Sequence, residues 1–369
     1  MNSRSLHQQS MKKLGWFLTM GALLLLAIWM PSAVAANEAG TGTSAWNNEV
    51  LDLFRTLPIL DEGRIKPLDT YAGFKLLKLN GRRSCVTPDG RKITPIEWLF
   101  DTVFRPEIAQ EYAVFNIDTS DVVVSLGLMA HDKKRDRYSY KELKPGREKL
   151  MEFAGLYGHV PDKDRSFLQR QILNLAQNFM EYEYLAAYAS FAQKPFALKP
   201  CEVFSRLFPN ASELSLLDAL KNAPALHNEF LVQKRDKREM DDARKANLDG
   251  LTSLLSDLDE VRKSSTALAI FPPEDPSQKE WLTPSDIVTK AFEPGSKIEA
   301  EIAMLGHFED IGRGLSAPGK LGEEALALSA MIVQRAEQRG EYAKIPLEVS
   351  FYKGKFFMRS LVFYIIAFL

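Results

Sequence analysis

The sequence predicts a mainly α domain with a small β portion near residues 82–130, an α+β fold that is exported and set between two apolar ends. Three observations predict it. A continuous apolar stripe at helical spacing runs through residues 166–192. A proline followed two positions later by an acid recurs ahead of apolar runs, at Pro67/Asp69, Pro95/Glu97, Pro200/Glu202, Pro284/Asp286 and Pro346/Glu348. Proline suits the first helical position, where its missing N–H would be unpaired anyway, and the acid meets free N–H groups at the positive end of the helix dipole. Third, β-branched and aromatic runs with one strong hairpin signal are confined to 82–130.

In chain order, the first end reads "MKKLGWFLTMGALLLLAIWMPSAVAANE". Lys12 and Lys13 form a positive n-region, residues 14–30 are uncharged and apolar, and Ala33 and Ala35 give the A-x-A spacing of a signal-peptidase site. Residues 1–36 are therefore a signal peptide, cleaved after Ala35 or Ala36, or an uncleaved signal anchor, since the apolar run approaches the ~18 residues of a membrane span. In both cases the lysines stay inside and the chain from about residue 37 is exported. Residues 37–49 are small and polar, a flexible lead-in.

Residues 50–195 read as a mixed α/β subdomain. It opens with "LPILDEGRIKPLDTYAGFKLL", a turn ended by Gly63 and then a helix start at Pro67 and Asp69. "RRSCVTPDGRKIT" places Pro88-Asp89-Gly90 between two short β-prone runs, a hairpin signal. "YAVFNI" (112–117) and "VVVSLGLM" (122–129) read as two further strands, "HDKKRDR" (131–137) as a solvated turn, and Ser139 with Glu142 as a capping box. Leu168, Ile172, Leu175, Phe179, Tyr182, Ala186 and Ala189 then form the long stripe, which the spacing assigns to core packing. Residues 196–350 read as a helical subdomain, with helices at 201–208, 212–221, 240–263, 284–293, 298–310 and 322–339. "QKRDKREMDDARK" (233–245) suits an exposed helix face or linker, and "FPPEDPSQKEW" (271–281) a proline-rich connection. Residues 360–369 are uncharged and apolar but give only about 15 Å of helix against the about 30 Å of a bilayer core. Residues 356–369 are read as the start of a transmembrane helix, truncated, in preference to a buried terminal helix.

Composition excludes one class. Lys+Arg total 47 against Asp+Glu 48, a net charge of −1, so no basic field exists to hold nucleic acid. Asp61, Glu62 and Asp69 are candidates for a carboxylate acid–base pair, but a helix start and a turn account for them without chemistry and are the preferred reading. The 5 histidines show no H-x-x-x-H or H-x-H spacing, and no metal site is assigned. The 2 cysteines, Cys85 and Cys201, form no C-x-x-C or C-x-x-C-H; as exported residues they pair as a disulfide, or they are two unrelated buried thiols. No G-x-G-x-x-G, G-x-x-x-x-G-K-[ST] or G-x-S-x-G occurs. No catalytic, cofactor-binding or metal residue is assigned.

"DEGRIKPLDTYAGFKLLKLNGRRS" resembles the opening of the large extracytoplasmic region in membrane proteins of the cytochrome c assembly family, the system II haem-handling cytochrome c synthases. "TPIEWLFDTVFRPEIAQEYAVFNID" and "DRYSYKELKPGREKL" resemble the next parts of that region. "EWLTPSDI" and "YAKIPLEVSFYKGKFFMRSLVFYIIAFL" resemble its end and the approach to the first core span. The resemblance spreads over residues 50–369. It implies a role in c-type cytochrome biogenesis, as the extracytoplasmic scaffold or docking region of a protein that delivers haem and promotes its attachment to apocytochrome c. It implies as partners apocytochrome c, other cytochrome c assembly membrane proteins and the membrane, with the bacterial inner membrane as location and residues from about 37 to 355 on the periplasmic side. Haem would be the cofactor of the parent family and none is expected on this chain alone. The family's haem chemistry lies in a tryptophan-rich motif of a multi-span core, and tryptophans 16, 29, 46, 98 and 281 match no such motif. What carries over is the opening motif, Arg64, Lys66, Pro67, Asp69 and Thr70, with no role attached. The rival reading is a membrane-tethered periplasmic protein-binding module without a haem role; an exported hydrolase using Asp61, Glu62 or Asp69 is a third.

Overall fold

The computed structural model describes residues 44, 46–235, 240–315, 318–354 and 356–368. The signal peptide or anchor expected over 1–36 and most of the lead-in lie outside these residues. The lead-in ends earlier than expected: Trp46 is buried and donates its indole N–H to Asp101, and α1 (Asn48–Arg55) already begins at residue 48. Asn47 caps α1 by accepting from Val50 N at 2.7 Å, and the helix buries Val50, Leu51 and Phe54.

The opening stretch then folds into a hairpin that the sequence reading took only as a turn. β1 (Pro58–Asp61) pairs antiparallel with β2 (Arg64–Pro67), Pro58 opposite Pro67 and Asp61 opposite Arg64. Glu62 and Gly63 both have positive φ, 52° and 72°, the left-handed pair that a two-residue primed turn requires. α2 (Leu68–Asn80) follows without a break and ends on Gly81 at φ 69°. β3 (Cys85–Val86) and β4 (Lys92–Ile93) form the expected hairpin around Pro88-Asp89-Gly90. Thr94 caps α3 (Pro95–Phe104), with α4 (Pro106–Ala109) close behind.

β5 (Ala113–Ile117) is the strand expected of "YAVFNI". The next apolar run is not a strand. It is α5 (Ser120–Ser125), capped by Thr119, whose hydroxyl accepts from Asp121 N. Val122 and Val123 are buried while Val124 is 59% exposed, the two-in, one-out pattern of a helical turn. The partner of β5 is instead β6 (Asp136–Ser139), taken partly from the charged segment read as a solvated turn. Its charges are half-buried and paired, Asp136 with His131 and Arg137 with Asn80, while Tyr138 and Ser139 are buried. Ser139 and Glu142 make the predicted capping box at α6 (Tyr140–Leu143).

α7 (Arg147–Gly158) leads to α8 (Phe167–Ala187), opened by a second capping box, Ser166 with Gln169. The predicted stripe is core: Ile172, Leu175, Phe179, Tyr182 and Ala189 are buried. Phe115 and Tyr140 pack their rings on Phe179 and Tyr182 at centroid distances of 4.8–5.7 Å. A short ladder, β7 (Phe196–Ala197) with β8 (Glu213–Leu214), flanks α9 (Glu202–Leu207). Then come α10 (Leu216–Lys221), α11 (Ala223–Arg235), α12 (Asp242–Ser264), α13 (Pro284–Ala291), α14 (Glu299–Gly314) and α15 (Pro318–Gln338). The charged run 233–245 lies partly outside the described residues.

The fold is thus mainly α with small two-stranded antiparallel ladders, and the β portion extends beyond 82–130 on both sides. One core crosses the sequence-based division at 195/196. Phe308 of α14 meets Phe104, Tyr188, Phe191 and Phe271 at 4.9–6.2 Å. Gly312 lets α14 approach closely, since a Cβ there would lie 2.6 Å from Ala192 Cβ. α15 packs on α14 and returns to α1 through Leu321, Ala325, Leu328, Ile332 and Ala336. Residues 43–369 form one contact unit.

The chain closes with α16 (Ile345–Gly354), packed on β2 and α2, and α17 (Phe356–Phe368). The described side chains of α17 are exposed all round. Among the described residues no helix is long and apolar enough to cross a membrane; the 13 residues of α17 span about 20 Å.

Candidate functional site

The five motif positions fall where the hairpin turns into α2, and each has a separate task. Pro67 is the N-cap residue, extended and without a side-chain cap, and Leu68 N donates to Leu57 O at 2.8 Å across the hairpin mouth. The other proline–acid pairs also mark helix starts, with Pro95 and Pro284 at the first helical position and Pro200 and Pro346 within a residue or two of it. Lys66 is nearly buried and donates to Asp61 Oδ2 at 2.6 Å. Removing Asp61 would leave that ammonium unpaired, a loss of roughly 3–5 kcal/mol for a fully buried pair and less here, where Asp61 keeps some exposure. Arg64 reaches across 284 residues of sequence to Glu348 of α16, donating from both terminal nitrogens at 3.1 and 3.2 Å. Arg64 is more than half exposed, so the pair is worth about 0–1 kcal/mol, but its forked geometry fixes α16 against the hairpin.

Asp69 and Thr70 face a cleft. Thr70 is buried, and Asp69 is half-buried in the first turn of α2. The cleft, about 820 Å³, lies between α1 and α2 on one side and α16 and α17 on the other. Arg55 and Arg83 line the first wall; Phe351, Tyr352 and Lys353 line the second. Arg83 sits in the corner of two rings that stand edge-to-face, its guanidinium carbon 4.3 Å from the Phe74 centroid and 4.7 Å from that of Tyr352. It makes no ion pair among the described residues. Arg55 donates to Asp52 on its own helix. Burial raises the proton affinity of Asp69 above the usual carboxylate range, and the positive charges of Arg55 and Arg83 only partly oppose this. The helix-start account of Asp69 therefore describes its position, while its carboxyl is turned into the cleft.

The three carboxylates proposed for acid–base chemistry are separated in role. Asp61 is taken up by Lys66, Glu62 is exposed at the hairpin tip, and Asp69 faces arginines. The cleft offers cations, one acid and aromatic faces, which suits binding an anion with an apolar neighbour.

The histidines are dispersed. His131 bridges Asp136 Oδ2 at 3.1 Å and Glu142 Oε1 at 2.9 Å and stacks on Tyr138. His307 contacts Glu324 at 2.6 Å. His227 lines a separate groove of about 580 Å³ with Pro224 and Phe292. His7 lies outside the described residues. Cys85 and Cys201 are free thiols, both buried, and burial pushes the Cys85 thiol far up; the disulfide alternative is not realised. Arg55, Arg83, Tyr352 and Lys353 were not singled out from the sequence, because nothing local marks residues about 300 positions apart as neighbours. Comparison with protein-family models and with curated proteins finds no match to this chain. The family resemblance stands on the residues quoted for it.

Proposed function

We propose that this chain is the extracytoplasmic scaffold region of a membrane protein of c-type cytochrome maturation, and that its motif face couples the folded domain to an apolar C-terminal helix at the membrane. The observation that carries the coupling is the Arg64–Glu348 fork together with the shared cleft, since both tie the opening motif to the pair α16–α17. The cytochrome role rests on the sequence resemblance. The partners are apocytochrome c and other assembly membrane proteins, met on the periplasmic side of the bacterial inner membrane. Haem belongs to the parent system.

The test uses the full gene in a cell that makes c-type cytochromes, with covalently bound haem stained on gels. Deleting the gene abolishes holocytochrome c. Arg64→Glu and Glu348→Arg each lower it, and the charge-swapped double variant recovers most of the loss. Unchanged holocytochrome c on deletion refutes the cytochrome role and leaves the tethered binding module. Equal loss in the single and double variants refutes the coupling.

A further inference from the structure

The cleft beside the opening motif has features that a scaffold surface does not require. Among the described residues lining it, Arg55, Arg83 and Lys353 carry positive charge and Asp69 alone is acidic. Arg83 is held by cation–π contacts to Phe74 and Tyr352, and it has no ion-pair partner among the described residues. A guanidinium placed by two rings and left without an ion pair keeps its N–H donors for a phosphate. Asp69 accepts no hydrogen bond among the described residues, so the cleft is not closed by its own polar groups.

The opposite wall leads into the mainly apolar helix α17, whose one described charge is Arg359. Phe351, Phe356 and Phe357 line the cleft and are 48%, 49% and 75% exposed. Beyond them, Leu361, Val362, Phe363, Ile365 and Ile366 of α17 are each about half exposed, at 45–52%. A ligand matching both halves must carry an anionic oxygen cluster and, next to it, an apolar chain. A soluble anion leaves the aromatic wall unused, and a neutral apolar molecule leaves the arginines unpaired. An amphiphile satisfies both.

We infer that this cleft is a headgroup site for an anionic phospholipid, with the phosphodiester on Arg55 and Arg83, Lys353 at the rim and the acyl chains along Phe356, Phe357 and α17. The inference rests on the membrane-coupled reading given above and adds the partner that the motif face meets. Basic pockets at the membrane surface select anionic headgroups, and each cation near the surface contributes about fivefold to that attraction. Asp69 works against the anion. It sets the selectivity lower than the cations alone would, and its removal strengthens binding.

The experiment uses the full chain in nanodiscs of phosphatidylcholine doped with equal shares of phosphatidylglycerol and phosphatidylethanolamine. Lipids retained after mild detergent release are counted by native mass spectrometry. The wild-type chain retains phosphatidylglycerol in excess over its share in the disc. Arg55→Gln and Lys353→Gln each lower that excess about fivefold, and Arg83→Gln lowers it at least as much. Should Arg83→Gln loosen α16, circular dichroism and the other two variants carry the test. Asp69→Asn raises the excess about fivefold, an effect in the opposite direction that mere unfolding would not give. Added inorganic phosphate leaves the excess unchanged.

Retention in proportion to composition, or an excess indifferent to Arg55→Gln and Lys353→Gln, overturns the site. An excess abolished by inorganic phosphate overturns the lipid as its occupant. A preference for phosphatidylethanolamine that disappears in Asp69→Asn also overturns it, since the headgroup would then be an ammonium held by the carboxylate. Failure of the chain to enter any nanodisc is a different result and falls on the membrane reading itself.

Discussion

Arg339 offers the sharpest quantitative test of how the C-terminal half is held. Its side chain is 3% exposed and binds Glu341 at 2.8 and 3.1 Å. It also donates to the carbonyls of Pro273, Asp275 and Gln278 at 2.8–3.2 Å. The other anchors of the proline-rich connection 271–281 are fewer and spread out: Phe271 exchanges backbone hydrogen bonds with Leu282, Glu274 N donates to Glu301, Lys290 donates to Gln278, and Trp281 donates its indole N–H to the same Glu341. Arg339→Met keeps the aliphatic volume and removes every polar contact. The Pro273 carbonyl lies on a buried residue and stays unpaired, costing about 1–3 kcal/mol. The two outer carbonyls rehydrate and lose about 0.5–1 kcal/mol each. Glu341 keeps Trp281 and partial exposure, so its share is below about 1 kcal/mol. The sum is about 2–6 kcal/mol. Arg339→Lys retains the charge with three donors in place of five and should lose about half as much. Urea denaturation gives the difference from the midpoints at unchanged slope, and hydrogen exchange shows whether amides of 271–282 open locally. A loss under about 1 kcal/mol in Arg339→Met, with those amides still protected, would refute the assignment of Arg339 as the organiser of this connection.

Other outcomes follow from the same geometry. Gly73→Ala on α2 places its methyl 3.6 Å from Arg83 Cδ, an ordinary contact, so the variant should gain about 0.5–1 kcal/mol in urea melts from helix propensity; a loss would show that the cleft wall is tighter than its open volume implies. Asp69→Asn should change stability by no more than about 1 kcal/mol at pH 7, the dipole loss being offset by relief of burying a charge. Because the folded-state pKa of Asp69 is raised, its contribution is full below the unfolded value near 3.9 and is lost as pH rises through the folded value. The variant should therefore compare better with wild type at pH 7 than at pH 4, and the opposite trend in paired melts contradicts the burial argument. For His131, burial acts to lower the pKa, but the hydrogen bonds to Glu142 and Asp136 outweigh it and the net shift is upward. Its stabilisation is present below the unfolded value near 6.5 and is lost as pH rises past the folded one. The imidazole resonances should titrate above those of a free histidine, and in Asp136→Asn the midpoint should fall.

Helix starts were the most legible feature because their chemistry is local. Thr94, Ser139, Ser166 and Thr283 each accept from the N–H three residues on, at 3.2–3.4 Å, within a single turn of chain. The long stripe of α8 was legible for a related reason, since a 3.6-residue period repeated over many turns leaves no rival pattern. Strands were less so. Val122 to Val124 satisfy β-propensity, but that propensity is set by the surface a strand packs on, and the cap at Thr119 starts a helix before any such surface is met. β6 was hidden by its charges, which are paired with His131 and Asn80 in a four-residue strand that ends on the buried Tyr138 and Ser139. The first hairpin was hidden by its turn. Glu62 takes a left-handed conformation more usual for asparagine or glycine, so no Asn-Gly or Asp-Gly marks the place.

The candidate site was half legible, and the missing half is all long-range. The motif residues Arg64, Lys66, Pro67, Asp69 and Thr70 fall together on one corner of the fold. What that corner does depends on residues that enter from elsewhere in the chain. Glu348 turns Arg64 from a solvated cation into a fork that fixes α16. Tyr352 turns Arg83 from one charge in a basic pair into a clamped guanidinium. The segment "FYKGKFF" was read only as the approach to a membrane helix, yet it supplies the second wall of the cleft through Phe351, Tyr352 and Lys353. Asp69 shows the consequence most plainly. An acid in the first turn of a helix is explained by the dipole alone, and only the placement of Arg55 and Arg83 near it shows that Asp69 is also one of the charges lining the cleft.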